Sequence, residues 1–243
     1  MADALAAIEA QHRQAPSLSA RRRVLSAGNA GKLGEALIAR LLALPDYREV
    51  VAATGKDIRS TSPRLGFVPI AALREPEAWR RIDEAVLLVG GKHTFFKRDD
   101  VFPILDEAAA IEIASAAVHA GITRLLVLVP MEAWHAATST SVAQFDTLEL
   151  ALRKLAPETL IVVRPSSHSI HTEGRSWLDS IARGMISTLS QYLLPQRLAP
   201  LRAQVVAEAA ANWLATLPAG QHFLGGEDLH SWMTARQARS KLS

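Results

Sequence analysis

Short apolar runs alternate along this chain with longer stretches in which apolar residues recur every three or four positions. Residues 23–27 form the first run, which ends at Gly28. In residues 32–44, Leu33, Ala36, Leu37, Leu41 and Leu44 fall on one helical face, and Pro45 supplies a stop signal just beyond. Residues 49–53 read as a second strand, 67–70 as a weaker third, and 85–89 as a fourth followed at once by Gly90 and Gly91. Residues 101–120 read as one long helix with Gly121 as its C-terminal glycine. Residues 124–129 are apolar without alternation, the mark of a strand covered on both faces. A helix over 141–155, a strand over 159–163 closed by Arg164 and Pro165, and a short last strand over 222–224 complete the pattern.

Strands alternating with helices of ten to twenty residues predict βαβ units and a parallel sheet. Right-handed crossovers then place helices on both faces, giving an α/β, doubly wound fold of about six or seven strands. Residues 1–22 form an N-terminal extension, with an Ala- and Leu-rich helical stretch at 2–14. Residues 23–243 make one domain, in which 166–218 supply small helical cap elements at one end of the sheet.

Composition narrows the function classes. Of 243 residues, 49% are hydrophobic and 21% charged, which is ordinary for a globular protein and excludes disorder. With no cysteine, disulfides, thiolate metal sites and thiol nucleophiles are all excluded. The net charge of +3 gathers at the ends, in Arg21, Arg22, Arg23, Arg236, Arg239 and Lys241. Aromatic residues are only 5%, too few for base-stacking platforms, so nucleic acid is not an expected partner. No run of eighteen apolar residues and no secretory leader pattern is found, so the expected setting is cytoplasmic and without membrane contact.

The strongest motif is Gly28-Asn29-Ala30-Gly31-Lys32-Leu33-Gly34, a GxxGxxG turn between the first strand and the first helix. Gly28 can make the sharp turn, Gly31 lets backbone approach a pyrophosphate, and Gly34 permits close packing of helix and sheet. The helix N-terminus supplies free N–H groups and partial positive charge. Gly28, Asn29, Gly31, Lys32, Leu33 and Gly34 are therefore expected to hold a dinucleotide, with Gly90 and Gly91 as a wall after the fourth strand. The dinucleotide fingerprint places an acid at the end of the second strand for the ribose 2′-OH. Here Thr54 is followed by Lys56 and Arg59. Cations in that place suit a 2′-phosphate, which favours NADP over NAD.

Three segments together resemble a known family. They are the glycine turn, the stretch from Ala116 to Leu128 with its Ala-Gly-Ile-Thr-Arg approach to the fifth strand, and Arg164-Pro165 after the sixth. Over residues 23–229 the chain is similar to the atypical short-chain dehydrogenase/reductases, in the NmrA-like and Tat-interacting-protein-like branch of NAD(P)-binding Rossmann proteins. The resemblance implies a Rossmann fold, an NAD(P) cofactor and oxidoreductase-like ancestry. Active members of that family use a Ser after the fifth strand and a Tyr and Lys four apart on the next helix. In this chain those positions fall on Val129, Ser141 and Phe145, while Glu149 keeps a following acid. The only two tyrosines, Tyr47 and Tyr192, lie elsewhere in sequence. The usual Tyr proton relay is therefore not available.

Histidine could replace it, because its ordinary pKa suits neutral acid–base work. His93 after the fourth strand and His135 after the fifth fall at the carboxyl ends of strands, with Lys92, His168 and His171 at the same edge. Their spacing is not that of a helical zinc pair, so no metal is expected. Three functions stand side by side: a non-catalytic NADP-binding redox sensor or scaffold; an NADP-dependent oxidoreductase or isomerase on a small organic substrate using His93 or His135; and a protein-binding module, or homodimer, that keeps the shell and binds no cofactor.

Overall fold

β-Branched and leucine-rich runs bounded by glycine, proline or charged residues become the strands of one sheet. The computed structural model describes residues 22–90, 101–129, 139–165 and 202–240, the first part of the helix at 139–146 and the last residues 239–240 by backbone alone. The strands are β1 (Arg22–Ala27), β2 (Tyr47–Thr54), β3 (Leu65–Pro69), β4 (Glu84–Leu88), β5 (Arg124–Leu128), β6 (Thr159–Val163) and β7 (Gly220–Leu224). They stand in the order β3-β2-β1-β4-β5-β6-β7. Every neighbouring pair is parallel. The predicted doubly wound α/β architecture is the observed one.

Among the described residues, five α-helices cover the sheet: α1 (Gly31–Ala43), α2 (Glu107–His119), α3 (Ser139–Leu155), α4 (Ala203–Thr216) and α5 (Gly226–Ser240). Alternation along each strand sorts the core into two layers. Leu25, Ala85, Leu125 and Val127 face α2, where Ala110, Ile113 and Ala114 meet them. Val24, Val86, Leu126 and Ile161 face the other way, toward Leu33, Leu37 and Leu41 of α1 and Val206, Ala210 and Leu214 of α4. Of the stretch assigned to cap elements, 166–201 lies outside the described residues. The portion at Ala203–Thr216 is α4, a layer helix beside α1. Residues 1–21 also lie outside the described residues.

One predicted element is corrected. The helix expected over 101–120 begins only at Glu107. Asp106 is its N-cap and accepts from the Ala109 N–H at 2.8 Å. Residues 101–106 instead form a strap. Its ends are tied to the sheet, where Gly55 N–H donates to Val101 C=O and Gly90 N–H donates to Leu105 C=O, both at 2.8 Å. Pro103 inside the strap has no N–H to give a helix.

At the opposite, amino edge the first residues of several strands form a buried polar hub. Glu84 opens β4 and is almost fully buried. It accepts a hydrogen bond from Tyr47 Oη at 2.6 Å and pairs with Arg22. Arg124 Nε lies 3.6 Å from the same carboxylate. Arg124 also donates to the Leu214 and Leu217 carbonyls, which secures the C-terminal end of α4. Burial pushes the Glu84 carboxyl above its ordinary pKa, against the lowering effect of Tyr47 and the two guanidiniums. Burial likewise holds the Tyr47 phenol far above its ordinary value, so it remains a donor.

Candidate functional site

The order β3-β2-β1-β4 makes the boundary between β1 and β4 the switch point of the sheet, because the chain leaves β1 toward one side and later β4 toward the other. Ligands of open α/β sheets lie in the crevice outside the carboxyl ends of the strands at this point. The glycine turn occupies it. Gly28 has φ +79 and Gly31 φ +76, backbone that a side chain rarely adopts. A Cβ on Gly28 would lie 2.0 Å from the Leu88 carbonyl oxygen, so only glycine lets the turn pass this close to the end of β4.

Gly34 behaves differently from expectation. Its Cβ would lie 2.0 Å from the Asn29 carbonyl oxygen, so the close approach is of α1 to its own entry turn rather than to the sheet. Asn29 explains the compactness. It is fully buried, its amide donates to Ser26 C=O at 2.8 Å, and Ser26 Oγ donates to Asn29 Oδ1 at 2.6 Å. The side chain of Asn29 therefore shapes the loop and does not project toward a ligand.

Among the described residues, no side chain caps the first turn of α1. The N-cap is Ala30, and no acid sits in that turn. The early N–H groups and the positive end of the helix dipole thus face the crevice. Lys32 is exposed and pairs with Glu35 at 3.3 Å. Leu33 is fully buried among the core residues, so it can offer a ligand only its backbone.

At the end of β2, Thr54 is buried and its hydroxyl donates to Lys56 C=O at 2.8 Å. Lys56 and Arg59 follow on the surface. No carboxylate occupies the last position of β2. Gly90 closes β4 with its N–H engaged by the strap. Gly28, Asn29, Gly31, Lys32, Leu33, Gly34, Thr54 and Gly90 thus fall at or beside the carboxyl edge of the sheet, while Lys56 and Arg59 lie along the connection from β2 to β3. Gly91 lies outside the described residues.

For catalysis, Val129 is buried after β5 and its N–H donates to Val163 C=O at 2.9 Å. Ser141 and Phe145 fall within α3. His93 and His135 lie outside the described residues. Tyr47 sits in the amino-edge hub, at the far end of the sheet from the glycine turn. Glu149 on α3 takes up Arg164 from the end of β6 and Arg153 one turn later. Among the described residues, no group of three or more His, Cys, Asp or Glu could hold a metal ion, and no helix is long and apolar enough to cross a membrane. The strap at 101–106 is a part of this edge that periodicity did not reveal. Its sequence signals are Pro103 and the capping residue Asp106.

No protein-family model and no curated protein matches the chain in sequence. Solved structures do match in fold. UDP-N-acetylglucosamine 4-epimerase from Bacillus cereus superposes with a TM-score of 0.53 at 11% identity, over 84% of this chain and 79% of that one. A short chain dehydrogenase from Leptospira borgpetersenii with bound NAD+ gives 0.52 at 11% identity, over 86% and 93%. MoeE5 in complex with UDP-glucose and NAD gives 0.52 at 16% identity, over 88% and 81%. The chain shares with them the Rossmann-type fold.

Proposed function

We propose that this protein binds NADP at the glycine turn and acts as a redox sensor or scaffold rather than by the Ser–Tyr–Lys dehydrogenase mechanism. The observation that carries the reading is the turn itself: two glycines at positive φ, backbone approaches that exclude a Cβ at Gly28 and Gly34, and an uncapped α1 N-terminus. This cradle fits a pyrophosphate, which would take the early N–H groups of α1. A bound nicotinamide would supply hydride chemistry. The protein's own contribution is to bind and orient it.

The choice of NADP rests on the end of β2. A carboxylate there would accept from the ribose 2′-OH and repel a 2′-phosphate. Thr54 stands in that place, and exposed Lys56 and Arg59 bring positive charge within the following turn. The non-catalytic reading rests on the residues at the family's catalytic positions. Val129 has no side-chain donor, Ser141 has a hydroxyl much less acidic than a phenol, and Phe145 carries no charge. NAD-bound structures of the same fold support the dinucleotide class.

Titration calorimetry with NADPH and NADH tests the reading. Lys56→Glu should weaken NADPH more than NADH, and Gly31→Val should abolish both. Equal loss in Lys56→Glu would remove the argument for the 2′-phosphate, and unchanged NADPH binding in Gly31→Val would remove the site. With a panel of carbonyl substrates and NADPH, absence of turnover is expected. Turnover that dies in Ser141→Ala would overturn the non-catalytic reading, and turnover that dies in His93→Ala or His135→Ala would favour the histidine-dependent enzyme.

A further inference from the structure

Two neighbours close on the bare Cα of Gly28. A Cβ built there would lie 2.0 Å from the Leu88 carbonyl oxygen, and 3.0 Å from the Cβ of Leu105 in the strap. Gly28 is therefore side-chain-free for two reasons. One belongs to β4. The other is Leu105, a residue far away in sequence that is seated against the start of the glycine turn.

Leu105 is held in place independently of that turn. Its carbonyl accepts from Gly90 N–H at 2.8 Å, and it bridges Val89 in parallel register. Its side chain is buried in the core layer that faces α2, the layer that also contains Val89 and Ala27, the residue just before the turn. The next residue, Asp106, caps α2 through the Ala109 N–H. At the far end of the strap, Gly55 N–H holds the Val101 carbonyl. Pro103 between the two ends restricts the backbone further. A segment tied to two strands and to a helix start has little room to move away from Gly28.

Gly28 has need of such a seat. It has φ +79, and a residue without a Cβ has the widest backbone freedom to lose. The Asn29 side chain ties the turn back to Ser26 across Gly28, and this constraint comes from within the loop. Leu88 and Leu105 supply the constraint from outside it. We infer that Leu105 is a positioning residue for the glycine turn. Its Cβ is the contact, and the branched end of its side chain, buried in the core, is the anchor that keeps the Cβ there. Through Gly28 it holds the turn in the conformation that aims the early N–H groups of α1, without itself contacting a ligand. For what the turn binds, the inference rests on the dinucleotide reading above; for the seat it rests on this geometry alone.

Hydrogen exchange and titration calorimetry on the full chain test it. Leu105→Ala keeps the Cβ and removes the anchor. With no ligand present, exchange across residues 28–34 should quicken by about tenfold, the equivalent of leaving one residue's backbone unordered. NADPH and NADH share the pyrophosphate, so both should weaken by about the same factor, because the ligand must then order the turn. Leu105→Met refills the volume and should restore both readings. Leu152→Ala opens a cavity in the same core layer on α3, and should lower stability while leaving both readings unchanged. If Leu105→Ala does not fold, Leu105→Val should give smaller changes of the same sign. Unchanged exchange across 28–34 in the folded alanine or valine variant would overturn the seat. Equal changes in Leu152→Ala would overturn it as well, since any core cavity would then have the same effect. A loss confined to NADPH would place the effect at the 2′-phosphate and refute the positioning role. If the unmodified chain binds neither dinucleotide, the dinucleotide reading falls and the role of Leu105 in binding falls with it, whereas the ligand-free exchange judges the seat by itself.

Discussion

Removing the Glu84 carboxylate should cost this protein more stability than any surface change. Glu84 is 1% exposed, and its two oxygens serve Tyr47, Arg22 and Arg124. Glu84→Ala leaves two guanidiniums and a phenol around an empty space. Breaking a buried ion pair from one side costs about 3–5 kcal/mol. The Arg22 side chain is 31% exposed and can rehydrate, so the lower end, about 3 kcal/mol, is expected. For a chain of this size that corresponds to a melting point lower by roughly 6–12 °C. Glu84→Gln keeps an acceptor for Tyr47 and should lose less.

The same group sets a pH dependence whose sign follows from its raised pKa. Burial makes the folded protein hold the Glu84 proton to higher pH than the unfolded chain does. Stability contributed by this group is therefore full below the ordinary carboxyl value of 4.5 and declines as pH rises from there through the folded value. Gln at this position cannot titrate, so the stability of the unmodified protein relative to Glu84→Gln should fall over that window. Thermal unfolding followed by circular dichroism at several pH values measures both effects. A Glu84→Ala melting point within about two degrees of the unmodified protein, or a Gln difference independent of pH, would refute the account of the hub.

Two further outcomes follow from geometry. Gly34→Ala puts a methyl 2.0 Å from the Asn29 carbonyl oxygen, and since that atom belongs to the backbone, α1 must shift. Destabilisation of about 3 kcal/mol, the upper end for overpacking, together with weaker NADPH binding, is expected in denaturant melts and calorimetry. Asp106→Ala removes the cap that accepts from Ala109 N–H, and should cost about 1 kcal/mol in the same melts without moving the glycine turn.

What could be read along the chain was local. The strands at residues 159–163 and 124–128 are unbroken apolar runs and the helix spanning Leu33, Leu37 and Leu41 is periodic, so the burial of each follows from its own local sequence. The glycine turn was legible for the same reason, because the backbone conformation at Gly28 and Gly31 is a property of a few adjacent residues. The strap and the hub depended on register. Nothing near residues 101–105 in sequence shows that Gly55 and Gly90 will present their N–H groups to it, and a run of Val, Phe, Ile and Leu leading into Ala109 and Ala110 reads as more helix. Likewise Glu84, Tyr47, Arg22 and Arg124 look like ordinary strand ends until parallel pairing places Glu84 beside Arg124 and Arg22 beside Tyr47. Propensity and spacing act between near neighbours in the chain. Which distant donors and charges meet is decided only when the sheet closes and burial removes water as their alternative partner.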